Sequence, residues 1–245
     1  VVVKMEGYID IHNHIIPKVD DGAHSMNQAL RMLEIAYAEG IRTMIATPHI
    51  CYRRGEDRSG RLKAAFEELK IKAEEHFPEL KLYLGSEIFY SQDTVYGLQK
   101  NEIPTLGNTS YVLVEFQPSC EYRYLKSSIQ NLIIGGYKPV IAHVERYYVL
   151  RKDMKLVDEL ILMGAYIQSN ASGIRGEDGR ELQRFVKRLL KRKLLHFVAT
   201  DSHGDEIRPP RIRECIDTAK KKYGEEYAAD IFIHNGRKLL KDQYI

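Results

Sequence analysis

Short apolar, β-rich runs recur along this chain, and each closes at its carboxyl end with side chains able to bind a hard metal ion. The first, Tyr8-Ile9-Asp10-Ile11, leads into His12-Asn13-His14, and the last, Phe197-Val198-Ala199-Thr200, leads into Asp201-Ser202-His203. Between them, the run 43–47 closes with Pro48-His49, 82–86 with Glu87, 111–114 with Glu115 and 140–142 with His143. Buried parallel strands read as continuous apolar runs, and in a barrel of such strands the carboxyl ends gather at one face, where catalysis sits. The layout therefore predicts the mouth of a metallohydrolase barrel.

His12 and His14 share a strand parity, so their imidazoles project from the same face about 7 Å apart and can bite one metal. Alone, such a pair is explained equally well by a surface or core histidine pair. A lone strand-end His or Glu is more often a cap or an ion-pair partner than a ligand. Only their recurrence at successive strand ends favours a metal site.

Helical patterns of similar size separate the runs. Ser25 is placed to cap a helix through Glu39, with Ala29, Met32, Leu33 and Ala36 on its inner stripe and Gly40 as its stop. Further helices are predicted from Ser59 to His76 with Leu62, Phe66 and Leu69 inward, Tyr122 to Ile134, Asp153 to Met163, and Asp178 to Arg192. Another is expected to open at Pro209-Pro210 and run to Tyr223, with short helical segments from Glu225 to Ile233 and Gly236 to Lys241. Counting 165–169 as a strand gives seven strands, most followed by a helix, which favours a parallel α/β barrel over an open sheet.

The 245 residues suffice for one barrel-sized domain spanning 1–245, and no linker or repeat divides them. With 44% hydrophobic and 29% charged residues, disorder and membrane insertion are poor readings. A formal charge of +3 is too small to imply nucleic acid, and the basic stretches 187–193 and 220–222 lie on amphipathic helical patterns. No secretory signal or spanning segment is legible, so a cytoplasmic location is expected, with Met5 a candidate natural start. Cys51, Cys120 and Cys215 lack paired spacing, which argues for reduced thiols. No glycine-rich nucleotide loop occurs.

The ordered set His12-Asn13-His14, Val19-Asp20-Asp21-Gly22, Thr47-Pro48-His49, Gly85-Ser86-Glu87, Val114-Glu115-Phe116, Ala142-His143-Val144-Glu145-Arg146 and Thr200-Asp201-Ser202-His203 resembles the polymerase-and-histidinol-phosphatase (PHP) superfamily. Within it the chain is most similar to the manganese-dependent protein tyrosine phosphatases of bacterial capsule and exopolysaccharide operons. That resemblance implies a distorted seven-stranded TIM-like (β/α) barrel holding three divalent ions. By it, His12, His14, Asp201 and Glu87 bind the first ion, and Glu87 bridges to a second held by Glu115 and His143. Asp21, His49 and His203 form the third site. Mixed imidazole and carboxylate ligands accept Mn²⁺, Fe²⁺ or Zn²⁺, and the carboxylate share leans toward Mn²⁺.

Clustered divalent ions lower the pKa of a bound water from about 15.7 to near 7, which yields hydroxide for in-line attack on phosphorus. A thiol nucleophile is disfavoured, because the sixth position after each cysteine holds Asp57, Lys126 or Lys221 instead of Arg. The resemblance assigns phosphate holding to Arg146 and Arg208, whose planar forks suit phosphoryl oxygens; the plain alternative is pairing with Glu145 and with Asp205 or Glu206. Asp201 is expected mainly to bind metal, with proton transfer as a second role. The loop 50–59, carrying Tyr52, Arg53 and Arg54, is either a phosphopeptide contact or a basic surface loop. Asp20 and His24 are left as residues supporting the ligands. Lys18 stands where the family usually has Gly, Val144 where Pro is common, and Thr200 to His203 replaces the commoner Ser-Asp-Ala-His.

The expected activity is hydrolysis of phosphotyrosine on a protein, with a bacterial tyrosine kinase governing polysaccharide export as the implied partner. The alternatives are histidinol phosphatase or another small-molecule phosphomonoesterase of the superfamily, and a non-catalytic metal-binding scaffold. A nuclease is disfavoured by the charge balance.

Overall fold

The computed structural model describes residues 7–55 and 59–245; Met5, the residues before it and Asp57 lie outside the described residues. Strand β1 (Tyr8–Asp10) is followed by helix α1 (Met26–Ala38), β2 (Ile41–Ala46), β3 (His49–Ile50) and α2 (Ser59–His76). Next come β4 (Lys81–Leu84), β5 (Glu87–Phe89), α3 (Thr94–Gln99), β6 (Tyr111–Glu115), α4 (Tyr122–Ile134) and β7 (Lys138–Ile141). Then follow α5 (Tyr148–Lys152), α6 (Lys155–Leu162), β8 (Tyr166–Asn170), α7 (Ala171–Arg175), α8 (Arg180–Lys191) and β9 (Phe197–Ala199). The chain finishes with α9 (Arg213–Tyr223), α10 (Glu225–Ala229), a π-helical turn (Asp230–His234) and α11 (Asn235–Leu240). No helix among the described residues is long and apolar enough to cross a membrane.

Every strand pairing is parallel. One sheet has the order β1-β2-β4 and the other β3-β5-β6-β7-β8-β9. A parallel bridge between Asn13 and Ser202 joins the chain just after β1 to the chain just after β9. There the Asp201 N–H donates to the His12 carbonyl at 2.8 Å and the His14 N–H to the Ser202 carbonyl at 2.8 Å. The first and last strands thus meet at the level of the candidate ligands.

Nine strands stand among the described residues where seven were expected, because a second short strand follows two of the expected runs, starting at the ligand that was expected to close each. Thr47-Pro48 separates β2 from β3, and Pro48 has no N–H to continue a ladder. Gly85-Ser86 separates β4 from β5, and a Cβ on Gly85 would lie 2.9 Å from Leu106 and 3.0 Å from Ile45. The chain swerves at both places, and both breaks end at a ligand.

Strand alternation sorts the core into two faces. Ile9, Ile11, Ile45, Tyr111, Leu113, Val140, Ala142, Tyr166, Phe197 and Ala199 form an inner cluster, closed below by Leu106 and Leu239. The alternate residues Val112, Val114, Ile141, Ile167 and Val198 pack outward beneath the helices. On α1 the stripe Ala29, Met32, Leu33 and Ala36 is fully buried, the Ser25 hydroxyl accepts from the Gln28 N–H at 3.2 Å, and Gly40 turns the chain at φ +92°, where a side chain would be strained.

The helix expected to open at Pro209-Pro210 begins instead at Arg213. Its start is fixed by the Glu39 carboxylate, which accepts from the backbone N–H groups of Ile212 at 2.9 Å and Arg213 at 2.8 Å. A carboxylate there both satisfies orphan donors and faces the positive end of the helix. Short helices α3, α5 and α7 were too brief to carry a readable periodicity.

Candidate metal centre

All nine sequence-derived ligand residues converge on the face to which the strands point. Ligand atoms of His12, His14, Glu87 and Asp201 lie within 4.8 Å of one another, as do those of His14, Asp21, His49 and His203, and those of His49, Glu87 and Glu115. His143 adjoins the last group, with Nε2 2.7 Å from Glu87 Oε1 and 3.5 Å from Glu115 Oε2. His49 stands between groups, its Nδ1 3.1 Å from Glu87 and 3.2 Å from Glu115, and its Nε2 3.5 Å from Asp21.

Backbone geometry aims two of these side chains. His143 has φ +33° and Asp201 φ +50°, a left-handed conformation uncommon for residues other than glycine. Such turns persist only where surrounding contacts hold them, and they cluster at functional sites.

Glu87 is buried, which pushes a carboxyl group up, but the imidazoles of His12, His14 and His143 outweigh this and hold it well below the usual carboxylate range. Asp201 behaves alike: burial opposes, while His12, His14 and Arg146 keep it ionised. His143 shows the counterpart, since burial lowers it but Glu115 and Glu87 raise it to about 9. His203 falls to about 4 through burial and the neighbouring His14.

The donor set fits divalent cations. His12 Nε2 and His14 Nε2 face each other at 3.4 Å, both 3.1–3.2 Å from Glu87 Oε2 and 3.3–3.4 Å from Asp201 Oδ1. Glu87 Oε2 is buried without a hydrogen bond. A buried carboxylate oxygen ringed by imidazole nitrogens is costly unless a cation is shared among them. His14 Nδ1 is bonded to Asp20 at 2.7 Å, so its Nε2 lone pair is the one left for a metal. Asp20 also accepts from the His49 N–H at 3.1 Å and the Gly22 N–H at 3.0 Å. His24, by contrast, is exposed, and its backbone N–H pairs with Gln28.

Arg146 and Arg208 both reach this centre. Each Nη2 donates to Asp201 Oδ2, at 2.8 Å from Arg146 and 2.6 Å from Arg208. Asp205, one of the two plainer partners expected for Arg208, pairs instead with Gln28 and Arg31. Glu145 is buried, with one oxygen accepting from the Asn170 N–H at 2.8 Å.

A cavity of about 620 Å³ opens beside His49, lined by Lys18, Val19, Ile50, Tyr52, Arg61 and Glu102 among others. In the loop before α2, Tyr52 is buried and its hydroxyl donates to Glu102, while Arg54 pairs with Asp93 at 2.6 Å and stacks over Tyr96. Two of the three candidate contacts of that loop are therefore engaged within the protein. Cys51, Cys120 and Cys215 are free thiols; burial raises Cys120 and pushes Cys215 up to about 12.

Sequence reasoning missed Asp10, Gln168 and Asn170. All three are buried polar groups on strands, Asp10 between Ile9 and Ile11 and the two amides in the polar half of β8, and polar side chains there were the available signal.

A family model described as capsular polysaccharide synthesis, CpsB/CapC, matches residues 8–241. Tyrosine-protein phosphatase CpsB of Streptococcus pneumoniae is 37% identical over 244 residues, covering 97% of this chain and all of that protein. A crystal structure from the work on YwqE of Bacillus subtilis and CpsB of Streptococcus pneumoniae, described as unique metal-dependent tyrosine phosphatases, superposes with a TM-score of 0.89 at 32% identity, covering 97% and 96% of the two chains. The phosphotriesterase homology protein of Escherichia coli shares the fold alone, with a TM-score of 0.60 at 11% identity over 96% of this chain and 99% of that one.

Proposed function

The chain belongs to the CpsB/CapC family of capsular polysaccharide synthesis, and from that membership we propose that it is a metal-dependent protein tyrosine phosphatase acting through the cluster around Glu87. The observation that carries the reading is the convergence of nine imidazole and carboxylate ligands with two arginines on one ligand, Asp201. We read residues 1–245 as one domain, and the nine strands among the described residues as seven staves of a distorted barrel, two of them interrupted before a ligand. The centre is assigned three divalent ions, with Mn²⁺ favoured by the carboxylate share and Fe²⁺ or Zn²⁺ as substitutes.

His12, His14, Asp201 and Glu87 would hold the first ion; Glu87, Glu115 and His143, with His49 alongside, the second; and Asp21, His49 and His203 the third. When bound, divalent ions supply acidification of water near neutral pH and positive charge toward the phosphoryl oxygens. Arg146 and Arg208 leave Asp201 Oδ2 to fork onto the phosphate, fixing it for in-line displacement. Asp201 Oδ2, freed of both guanidiniums, accepts the proton of the attacking water, and the phenolate, departing on the opposite face, takes its proton from solvent. The O–P bond to tyrosine breaks as that from water forms.

The cavity beside His49 is assigned to the residues flanking the phosphotyrosine. Among the described residues its one lining carboxylate, Glu102, is already bonded to Tyr52, and Lys18 and Arg61 line it too, a poor match for an amine such as histidinol. The phosphatase is taken to be cytoplasmic and its substrate the tyrosine-rich tail of a bacterial tyrosine kinase controlling polysaccharide export.

The test is kcat/KM for a phosphotyrosine peptide against histidinol phosphate, in Mn²⁺ and after chelation. Preference for the peptide that vanishes with chelator is expected. Preference for histidinol phosphate would replace the substrate while keeping the centre, and turnover indifferent to chelator would overturn the metal mechanism.

A further inference from the structure

We propose that Gln168 and Asn170, on the one stave that supplies none of the nine ligands, are positioning residues that fix His12, His143 and Asp201 and thereby set the affinity of the centre for divalent cations. The proposal rests on reading the cluster as a metal centre.

Strand alternation puts both amides where they act. Tyr166 belongs to the inner apolar cluster, so Gln168 and Asn170, two and four residues on, share its inward face and rise toward the mouth. Both are buried, at 0% and 2% exposure, on a strand whose five residues are all buried.

Their orientations follow from a single backbone donor. The His143 N–H, which can only donate, lies 2.7 Å from one terminal atom of Gln168, so that atom is the oxygen. The same oxygen lies 3.3 Å from His12 Nδ1, which must then carry its proton, leaving Nε2 bare and directed at Glu87 and Asp201. The Gln168 nitrogen donates to Asn170 Oδ1 at 3.0 Å. Asn170 therefore presents Nδ2 to Asp201 Oδ2 at 2.6 Å, and Asp201 Oδ1 is the oxygen left facing the imidazoles of His12 and His14.

One carbonyl oxygen thus anchors the left-handed turn at His143 and selects the tautomer of His12, residues assigned to two different ions. Asn170 has a separate consequence. Arg146 and Arg208 share Asp201 Oδ2 with it, and when they turn to phosphate the Asn170 amide stays as the fixed donor that keeps the carboxylate from rotating. Partners that orient metal ligands in this way commonly change metal affinity 10- to 100-fold when removed.

The experiment is calorimetric titration of Mn²⁺ into the chelator-stripped full chain, comparing the parent with Gln168→Leu, Gln168→Glu and Asn170→Leu, beside the melting curve of each stripped protein. Gln168→Leu is expected to weaken Mn²⁺ binding about 10- to 100-fold, and Gln168→Glu, which keeps the accepting oxygen but loses the donor to Asn170, to recover part of that loss. Asn170→Leu is expected to weaken it as well, without the recovery. Parent-like affinity in Gln168→Leu, or equal weakness in Gln168→Glu, would overturn the proposal. Should Gln168→Leu fail to fold, Asn170→Leu decides it: weakened Mn²⁺ binding supports the proposal, and parent-like binding sinks it. A parent that binds Mn²⁺ tightly but leaves phosphotyrosine intact would remove the phosphatase reading and leave this one standing.

Discussion

Asp10 and Thr200, 190 positions apart, are joined by two hydrogen bonds: Asp10 Oδ1 accepts from the Thr200 N–H at 3.0 Å and Oδ2 from its hydroxyl at 2.6 Å. Oδ2 also accepts from Asn13 Nδ2 at 3.3 Å, and Oδ1 from the His12 N–H at 3.4 Å. Burial nevertheless raises the Asp10 pKa, which is what a carboxylate at 0% exposure experiences even with several donors. Each partner flanks ligands, His12 on one strand and Asp201 on the other. Thr200→Val removes the hydroxyl while keeping the shape and leaves Oδ2 short of a donor. A loss of about 1–3 kcal/mol is expected in urea unfolding of the chelated protein; an unchanged midpoint and slope would mean the hydroxyl bond adds nothing to the backbone bridge and the bond from the N–H of residue 200.

Glu87 spans the centre, since Oε1 meets His143 and Oε2 lies near His12, His14 and His49. Glu87→Ala should lower the metal content by two ions per chain, measured by plasma emission after dialysis. Phosphatase activity should fall by on the order of 10²-fold or more, because ion-borne stabilisation of the transition state is worth several kcal/mol. Full metal content with near-normal turnover would remove Glu87 from its bridging place.

Arg146 separates phosphate holding from metal holding. Its side chain meets the centre only through Asp201 Oδ2, an oxygen that Arg208 and Asn170 also serve. Arg146→Ala is therefore expected to leave the metal content unchanged and to cut kcat/KM for a phosphotyrosine peptide by about 10²- to 10³-fold, the usual cost of one donor aimed at developing negative charge. Loss of ions instead would show that the guanidinium acts by holding Asp201 in place.

The strand ends were legible because two simple signals coincided there, an apolar run and an abrupt polar stop. Glu115 and His143 are read that way without ambiguity of phase, and the inner stripe of α1 followed from spacing alone. Asp21 was different. It lies in an irregular loop, and nothing local distinguishes it from Asp20, so only the family pattern selected it; the geometry shows the reason, with Asp20 turned to His14 Nδ1 and Asp21 to His49 and His203. Contacts between distant positions were not legible at all. Glu39 capping α9 and Gln168 beneath His12 depend on tertiary neighbours that no local period encodes.

His196 lies just before β9, away from the ligands, and offers a clean pH test. Burial lowers its pKa to about 4, and its Nδ1 accepts the Ile167 N–H at 3.1 Å, so protonation there would also break a strand-end hydrogen bond. An unfolded histidine takes up its proton near pH 6.5, well before the folded one does. The stabilisation from the neutral ring is therefore complete above about pH 6.5 and drains away as pH falls toward 4, amounting to at most about 3 kcal/mol. His196→Asn retains an accepting oxygen and cannot titrate. Between pH 7.5 and pH 5, the chelated parent should lose roughly 2 kcal/mol more in urea unfolding than this variant does. Parallel losses in the two proteins would show that the His196 ring is protonated in the fold without cost, and that the Ile167 N–H finds another acceptor.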